Sequence, residues 1–324
     1  MVYLANLCHD CRSCFDACPY APPHELAVDI PLLMSTVRER TYAHYASPRW
    51  IAERVDRRLS FALAFSGFAV VGVVGATSLA NGLEAMFTPR TGPGAFYEVV
   101  PWLAMMLPFS ALTISSIAVL LLAGARFWRD SGGTRAEFLT DLRNVPAAIW
   151  DVATLRNLRG GGPGCTYPEE RPNQRRRLWH SLVFYGFISA FVSTTSAAVY
   201  QDILGILPPY GLLSLPVLFG TVGGLAMIAG CIGLLAQKSV ADPARIAKPM
   251  RVMDIAFILS LLLVNFSGML LLVLRETSAM GILLASHLGF IAALFLSLPY
   301  GKFAHSMYRF LALLRDRVEI RGEQ

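Results

Sequence analysis

Charge is what this sequence has least of. Only 15% of its 324 residues are Asp, Glu, Lys or Arg, where soluble domains carry about 25%. With 55% apolar residues, a soluble globule of this length would lack the polar surface to cover its core. Cysteine is also scarce: six in all, four of them within residues 8–18, which excludes the spaced cysteines of a disulfide framework. Residues 1–13 show no basic start followed by a short apolar core, so no secretory signal peptide is expected there. No internal repeat and no low-complexity segment is evident. The net charge of +6 and pI near 9.1 would suggest nucleic acid as a partner in a soluble protein. Here the placement of the basic residues gives another explanation, and no nucleic-acid partner is expected.

What is present is apolar and long. Six runs, at 59–80, 102–124, 180–200, 212–236, 255–274 and 281–299, each approach or exceed the roughly 20 helical residues that cross a bilayer core. Charges are almost absent inside them, and Gly and Pro are frequent, as in membrane helices. Seven Lys or Arg precede the first run, ten lie between the second and third, four between the fourth and fifth, and five follow the sixth. The remaining connections hold Arg90, none, and Arg275. This split of 26 against 2 places both termini in the cytoplasm, where basic loops are retained. Ahead of the first run the sequence reads as two short helices, 31–45 and 48–58, each opened by a proline suited to a first helical turn.

The cysteine cluster, Cys8-His-Asp-Cys11-Arg-Ser-Cys14-Phe-Asp-Ala-Cys18-Pro19, has the C-x₂-C-x₂-C-x₃-C-P spacing of bacterial ferredoxins. Closely spaced thiolates wrap a [4Fe–4S] cube, while the fourth cysteine of such a run ligates a second cluster. Zinc knuckles pair their cysteines instead. A fourth ligand for the cluster at Cys8, Cys11 and Cys14 is missing from this run. Either Met1 is a late start and a further segment lies upstream, or Cys165 in the loop 125–178 completes a single site. Cys231, alone in the fourth run, reads as core packing. The fold expected is thus an all-α integral membrane protein. It comprises a small ferredoxin-like iron–sulfur segment with linker helices (1–57), a six-transmembrane-helix bundle resembling a cytochrome b domain (58–307) and a tail (308–324).

Three histidines lie in or near the apolar runs: His180, His287 and His305. Ionisable groups at membrane depth are functional candidates. His287 and His305 are 18 residues apart, five helical turns and about 27 Å if one helix continues through Pro299. His180 opens the third run at the cytoplasmic end and matches His305 in depth. Two imidazoles from different helices at one depth are suited to the axial positions of a b-type haem. Arg177 and Arg309, with neighbouring Arg175, Arg176 and Lys302, are placed to neutralise its propionates. His287 is a candidate for a second haem or a quinone site, but the outer half of the third run offers Tyr200 and Gln201 and no second histidine.

The segments 6–25 around the cysteines, Gly-Gly-Pro-Gly-Cys165-Thr-Tyr-Pro, Arg176-Arg-Leu-Trp-His180 and Leu298-Pro-Tyr-Gly-Lys-Phe-Ala-His305 together resemble the tricarballylate/citrate-utilization protein B family. The 18-residue histidine spacing is also similar to that in the cytochrome b subunit of respiratory nitrate reductases. The resemblance implies an electron-transfer protein of the bacterial inner membrane, not itself a dehydrogenase. Such a protein reoxidises a soluble FAD-dependent tricarballylate dehydrogenase and passes electrons through iron–sulfur and haem to membrane quinone. The chain departs from the family's upstream cysteine motif, and has Gln201 where the family carries a histidine. Two other classes stay open: a carrier for citrate-like tricarboxylates, whose expected inward-facing charges and interrupted helix pairs are not evident here, and a redox sensor.

The basic asymmetry is directly testable. A reporter fused after Gln324 is expected to be active in the cytoplasm and one inserted near Thr91 to be active outside. Reversed activities would place the cysteine segment in an oxidising compartment and end the electron-entry argument.

Overall fold

In lipid every backbone N–H and C=O must find its partner within the same helix, so long apolar runs have one stable option. The computed structural model, which describes residues 1–54, 58–134, 144–159, 164–168 and 171–322, takes it six times. Helices long and apolar enough to cross a membrane run over Leu59–Asn81, Trp102–Asp130, Arg175–Asp202, Leu215–Val240, Lys248–Leu274 and Met280–Ser297. They are called here the first to sixth spans. Among the described residues there is no strand, only an isolated antiparallel bridge between Cys165 and Asn173.

The spans are longer at the basic end than the apolar runs suggested. The second continues to Asp130, the third begins at Arg175, the fourth ends at Val240 and the fifth begins at Lys248. Helices continue past the hydrocarbon because long basic side chains there reach back to the interface. Residues 212–214, read as part of the fourth span, lie outside it. Ser214 is the N-cap, and Pro216 occupies the first turn, where its missing N–H costs nothing. Of the two linker helices, one runs Ile30–Tyr45, capped by Asp29 accepting from the Leu32 N–H. The other is only Arg49–Ala52; residues 55–57 of its expected range, like 160–163 of the glycine-rich loop and the terminal 323–324, lie outside the described residues.

Packing between spans depends on small residues, since lipid is as apolar as leucine and only close approach yields net attraction. The third and fourth spans meet backbone to backbone. A Cβ added at Gly223 would stand 2.9 Å from the Gly186 carbonyl oxygen and 2.7 Å from Ser189 Cβ. Ser189 and Ser193 donate across the seam to the Phe219 and Pro216 carbonyls at 2.9 and 2.6 Å. The sixth span is central: half of its apolar window is buried, against 6% of the third's. Outward faces present Phe68, Leu79, Leu121 and Phe191, as lipid contact requires.

One consequence of the sixth span's course is a correction. The helix does not run through Pro299. It stops at Ser297, passes a turn and the short 3₁₀ helix Lys302–Ala304, and restarts as the C-terminal helix His305–Gly322. His287 and His305 therefore do not share one helical face.

The four basic segments converge on one side. Tyr3 of the N-terminal helix Val2–Leu7 donates to Asp316 of the C-terminal helix at 3.1 Å, Arg317 pairs with Asp151 of the loop between spans two and three, and Arg245 pairs with Asp29 at 3.0 Å. Apolar packing beneath joins Tyr42, Tyr45, Phe127, Met250 and Tyr308.

Gly223→Val forces a side chain into the span three–four seam and is expected to lower stability by about 1–3 kcal/mol, the usual cost of overpacking. Gly67→Val, at a position with no atom within 4 Å of the added Cβ, should leave the thermal midpoint in detergent unchanged. Equal midpoints for both variants would mean the seam is not close-packed.

Candidate cofactor site

The cysteine loop begins where the N-terminal helix ends, with Cys8 already extended. Asp10 and Arg12 follow at φ 57° and 67°, left-handed values uncommon for side-chain-bearing residues. Arginines from other elements hold this turn by its carbonyls. Arg38 donates to Ala5 and Cys8 at 3.0 Å each, and Arg309 to Cys8 at 3.3 Å and Leu7 at 3.4 Å. Arg176 donates to Asp10 at 2.5 Å. Thr166 gives both its N–H and its hydroxyl to Cys11, at 3.1 and 2.9 Å. With the carbonyls bound outward, the amide groups from His9 to Cys14 find no protein acceptor among the described residues.

That is the donor set an iron–sulfur cube takes: thiols spaced along a turn, free amides toward its sulfides and cationic backing for its negative charge. Burial, with Cys8 and Cys11 close by, raises the Cys14 thiol pKa. The thiols do not converge as ligands, however. Among the described residues no three His, Cys, Asp or Glu side chains are grouped closely enough to hold a metal ion.

Cys165 lies against this loop. It is fully buried, packed with Tyr167 and Ala241 and touching Cys11. Its backbone pairs with Asn173 at 3.1 and 3.0 Å, and its thiol donates to the Leu158 carbonyl at 3.6 Å. Preceding Gly164 has φ 118° and backs onto Asn173, which leaves no room for a Cβ. Cys231 is packed mid-membrane among Met227, Ile258, Leu261 and Leu294.

His180 and His305 face each other, ring centres 6.5 Å apart. An imidazole–metal bond is about 2.0–2.1 Å, so two rings on opposite sides of one ion stand roughly 6 Å apart centre to centre. His305 Nδ1 lies 2.7 Å from the Lys302 carbonyl. A carbonyl only accepts, so Nδ1 carries the proton and Nε2 keeps its lone pair, the tautomer a ligating histidine needs. Burial, with Lys302 and His180 alongside, pushes the His305 pKa down to about 3 and keeps the ring neutral. The two rings line a cavity of about 420 Å³ with an apolar wall that includes Val183, Phe184, Phe187 and Phe257. A size of ~300–1,000 Å³ is usual for cofactor pockets. His287 lies outside that lining, its Nδ1 3.0 Å from the Ser267 hydroxyl and its ring against Gly268.

Arg38, Arg176, Lys302 and Arg309 supply the cavity's cationic wall. Burial, and then Arg38 and Arg176, lower the Arg309 pKa to about 10; burial lowers that of Lys302 to about 8 against the opposing pull of Asp254. Lys302 has its counter-ion in Asp254 at 2.6 Å, whereas Arg309 is held by backbone carbonyls and would gain from an anion beside it. Arg177, read as a propionate partner, turns elsewhere and donates to the Thr154 carbonyl at 3.2 Å; its neighbour Arg176 lines the cavity. Sequence reasoning also missed Arg38, which carries no motif, and the ion triad in which Asp254 bridges Lys238 and Lys302 at 2.5 and 2.6 Å. Asp254 had a usable signal, being an acid at the mouth of a span beside three basic residues.

A family model described as "Citrate utilization protein B" matches residues 56–324, and one described as "Citrate utilization protein B Fer4-like domain" matches residues 1–44. A curated relative from Escherichia coli named "Citrate utilization protein B" is 40% identical over 334 aligned positions, covering 99% of this chain and 84% of its own length. No solved structure matches. With both halves matched by models of one family and the whole chain matched by a curated member, the chain belongs to the citrate utilization protein B family.

Proposed function

We propose that this protein is the membrane electron-transfer component of citrate or tricarboxylate utilization. In this reading it reoxidises an FAD-dependent dehydrogenase of tricarballylate or a citrate-like acid and delivers the electrons to membrane quinone. The cysteine loop would hold a [4Fe–4S] cluster and the His180/His305 pair a b-type haem; when bound, these groups supply one-electron carriers. The observation that carries the reading is Arg309. It donates to the Leu7 and Cys8 carbonyls and also lines the cavity where His180 and His305 meet. A single side chain thus borders both candidate sites.

The chain's own residues would do three things. Arg38, Arg176 and Thr166 hold the loop's carbonyls, which would leave its amides free for a cluster's sulfides. The Lys302 carbonyl orients the His305 ring. The cationic wall neutralises the anionic edge of a macrocycle through charge-assisted contacts, the strong kind. A tricarboxylate carrier finds less support, since the six described spans are each continuous helices, without the interrupted helix pairs that carboxylate carriers use. The family name, and the Fer4-like description of the N-terminal match, support the substrate class and the iron–sulfur assignment.

Anaerobically purified protein should show the broad absorbance of a [4Fe–4S] centre and lose it on Cys11→Ser; stoichiometric zinc without acid-labile sulfide would overturn that assignment. His305→Ala should abolish the b-type reduced-minus-oxidised bands and quinone reduction, while leaving cluster absorbance and membrane insertion intact. His287→Ala should spare the haem bands. If His305→Ala keeps a full haem spectrum and His287→Ala loses it, the pairing is wrong.

A further inference from the structure

The loop between spans two and three contains a nine-residue helix, Val145–Ala153, whose Asp151 and Val152 border the cavity but whose outer face the cofactor reading leaves without a role. Its two faces differ sharply. Ala148 and Asp151 are buried against the C-terminal helix, where Arg317 pairs with Asp151. The opposite stripe, Pro146, Ile149, Trp150 and Ala153, follows the i, i+3, i+4, i+7 pattern of one helical face. Ile149 is 53% exposed and Trp150 68%. An aromatic and a β-branched residue side by side on an outward face make an apolar patch suited to contact.

The surroundings say which contact. The C-terminal end of this helix is held by the third span: Tyr185 donates its hydroxyl to the Ala153 carbonyl, and Arg177 donates to Thr154. Tyr185 is ten residues along a helix that opens at Arg175, about 15 Å at 1.5 Å per residue. Its side chain leans back toward the helix start, which brings the contact to the boundary between headgroups and acyl chains. On the third span itself Tyr185, Ile188 and Phe191 are outward-facing, so both elements that meet at Ala153 carry an exposed apolar face. Exposed Arg156 and Arg159 follow the helix, at the level where anionic headgroups lie.

We propose that Val145–Ala153 is an in-plane membrane anchor, its Ile149–Trp150 face inserted among phospholipid chains on the basic side of the bundle. Interfacial helices bury such a face about 5–10 Å below the headgroups, and tryptophan is enriched at that depth. The helix would then tie the N-terminal cysteine loop to a fixed height, because the same loop carries Thr166, which binds Cys11. The proposal is independent of which cofactors the protein holds.

The test uses the full-length protein in phospholipid bilayers, with the tryptophan emission of wild type compared with that of Trp150→Phe, a change small enough to preserve the fold. In bilayers with acyl chains brominated near the headgroups, wild type should lose emission, and the difference spectrum assigned to Trp150 should be strongly quenched. Aqueous iodide should barely affect that difference spectrum. Quenching by iodide and not by brominated lipid would place the face in water and overturn the proposal. Quenching by neither would mean that protein covers it, which overturns it equally. Should Trp150→Phe prove unstable, Ile149→Asp provides a second arm. A lipid-inserted face predicts a lowered thermal midpoint in bilayers, and an unchanged midpoint would again overturn it.

Discussion

The carbonyl oxygens of one short turn, at Leu7, Cys8, Asp10 and Cys11, organise the basic side of this protein. Each is met by a donor from a distant part of the chain: Arg38 from the linker helix, Thr166 from the loop, Arg176 from the third span and Arg309 from the C-terminal helix. Hydrogen bonds with a charged donor are worth roughly 1.5–3 kcal/mol each. Their combined effect is to engage the loop's carbonyls while its amides from His9 to Cys14 stay without a protein acceptor among the described residues. A loop free to flip its peptides would present carbonyls and amides mixed, and would not suit an anionic cluster. Arginine is the residue for this work because its planar fork reaches two carbonyls at once and stays charged when buried.

The same arginines set an electrostatic problem that the fold answers only in part. Asp254 is flanked by Lys238 and Lys302 within one buried triad, whereas Arg38, Arg176 and Arg309 point at dipoles, not at carboxylates. Carbonyl dipoles compensate a partly buried cation less fully than a carboxylate does. An anionic occupant beside them, as in the proposed cofactor site, would add that compensation. The triad itself is locked: removal of one member of such a group typically costs 3–5 kcal/mol. Its position at the start of the fifth span means that the cavity and the membrane helices are stabilised together.

Part of this organisation was legible in the order of residues. Six apolar runs without charge have no stable alternative to helices in lipid, and the three- and four-residue steps between cysteines mark a ferredoxin-type motif. The facing of His180 and His305 was readable from matching depth, because both lie a fixed distance from an apolar boundary. The end of the sixth span was not: the apolar run extends to Pro299, whereas the helix stops at Ser297. What lay beyond such local rules was direction. Arg175, Arg176 and Arg177 are consecutive, and on a helix they point about 100° apart; nothing in their order says that Arg176 enters the cavity while Arg177 turns to Thr154. Arg38 and Cys165 reach the cysteine loop across long sequence separations, through contacts that form only when four segments pack together. Membrane-length helices and the cysteine motif depend on short-range composition and spacing, which are local to the sequence. Which cation faces which carbonyl depends on the packing of whole helices, and that is settled by close contacts such as those at Gly186 and Gly223 far from the site they position.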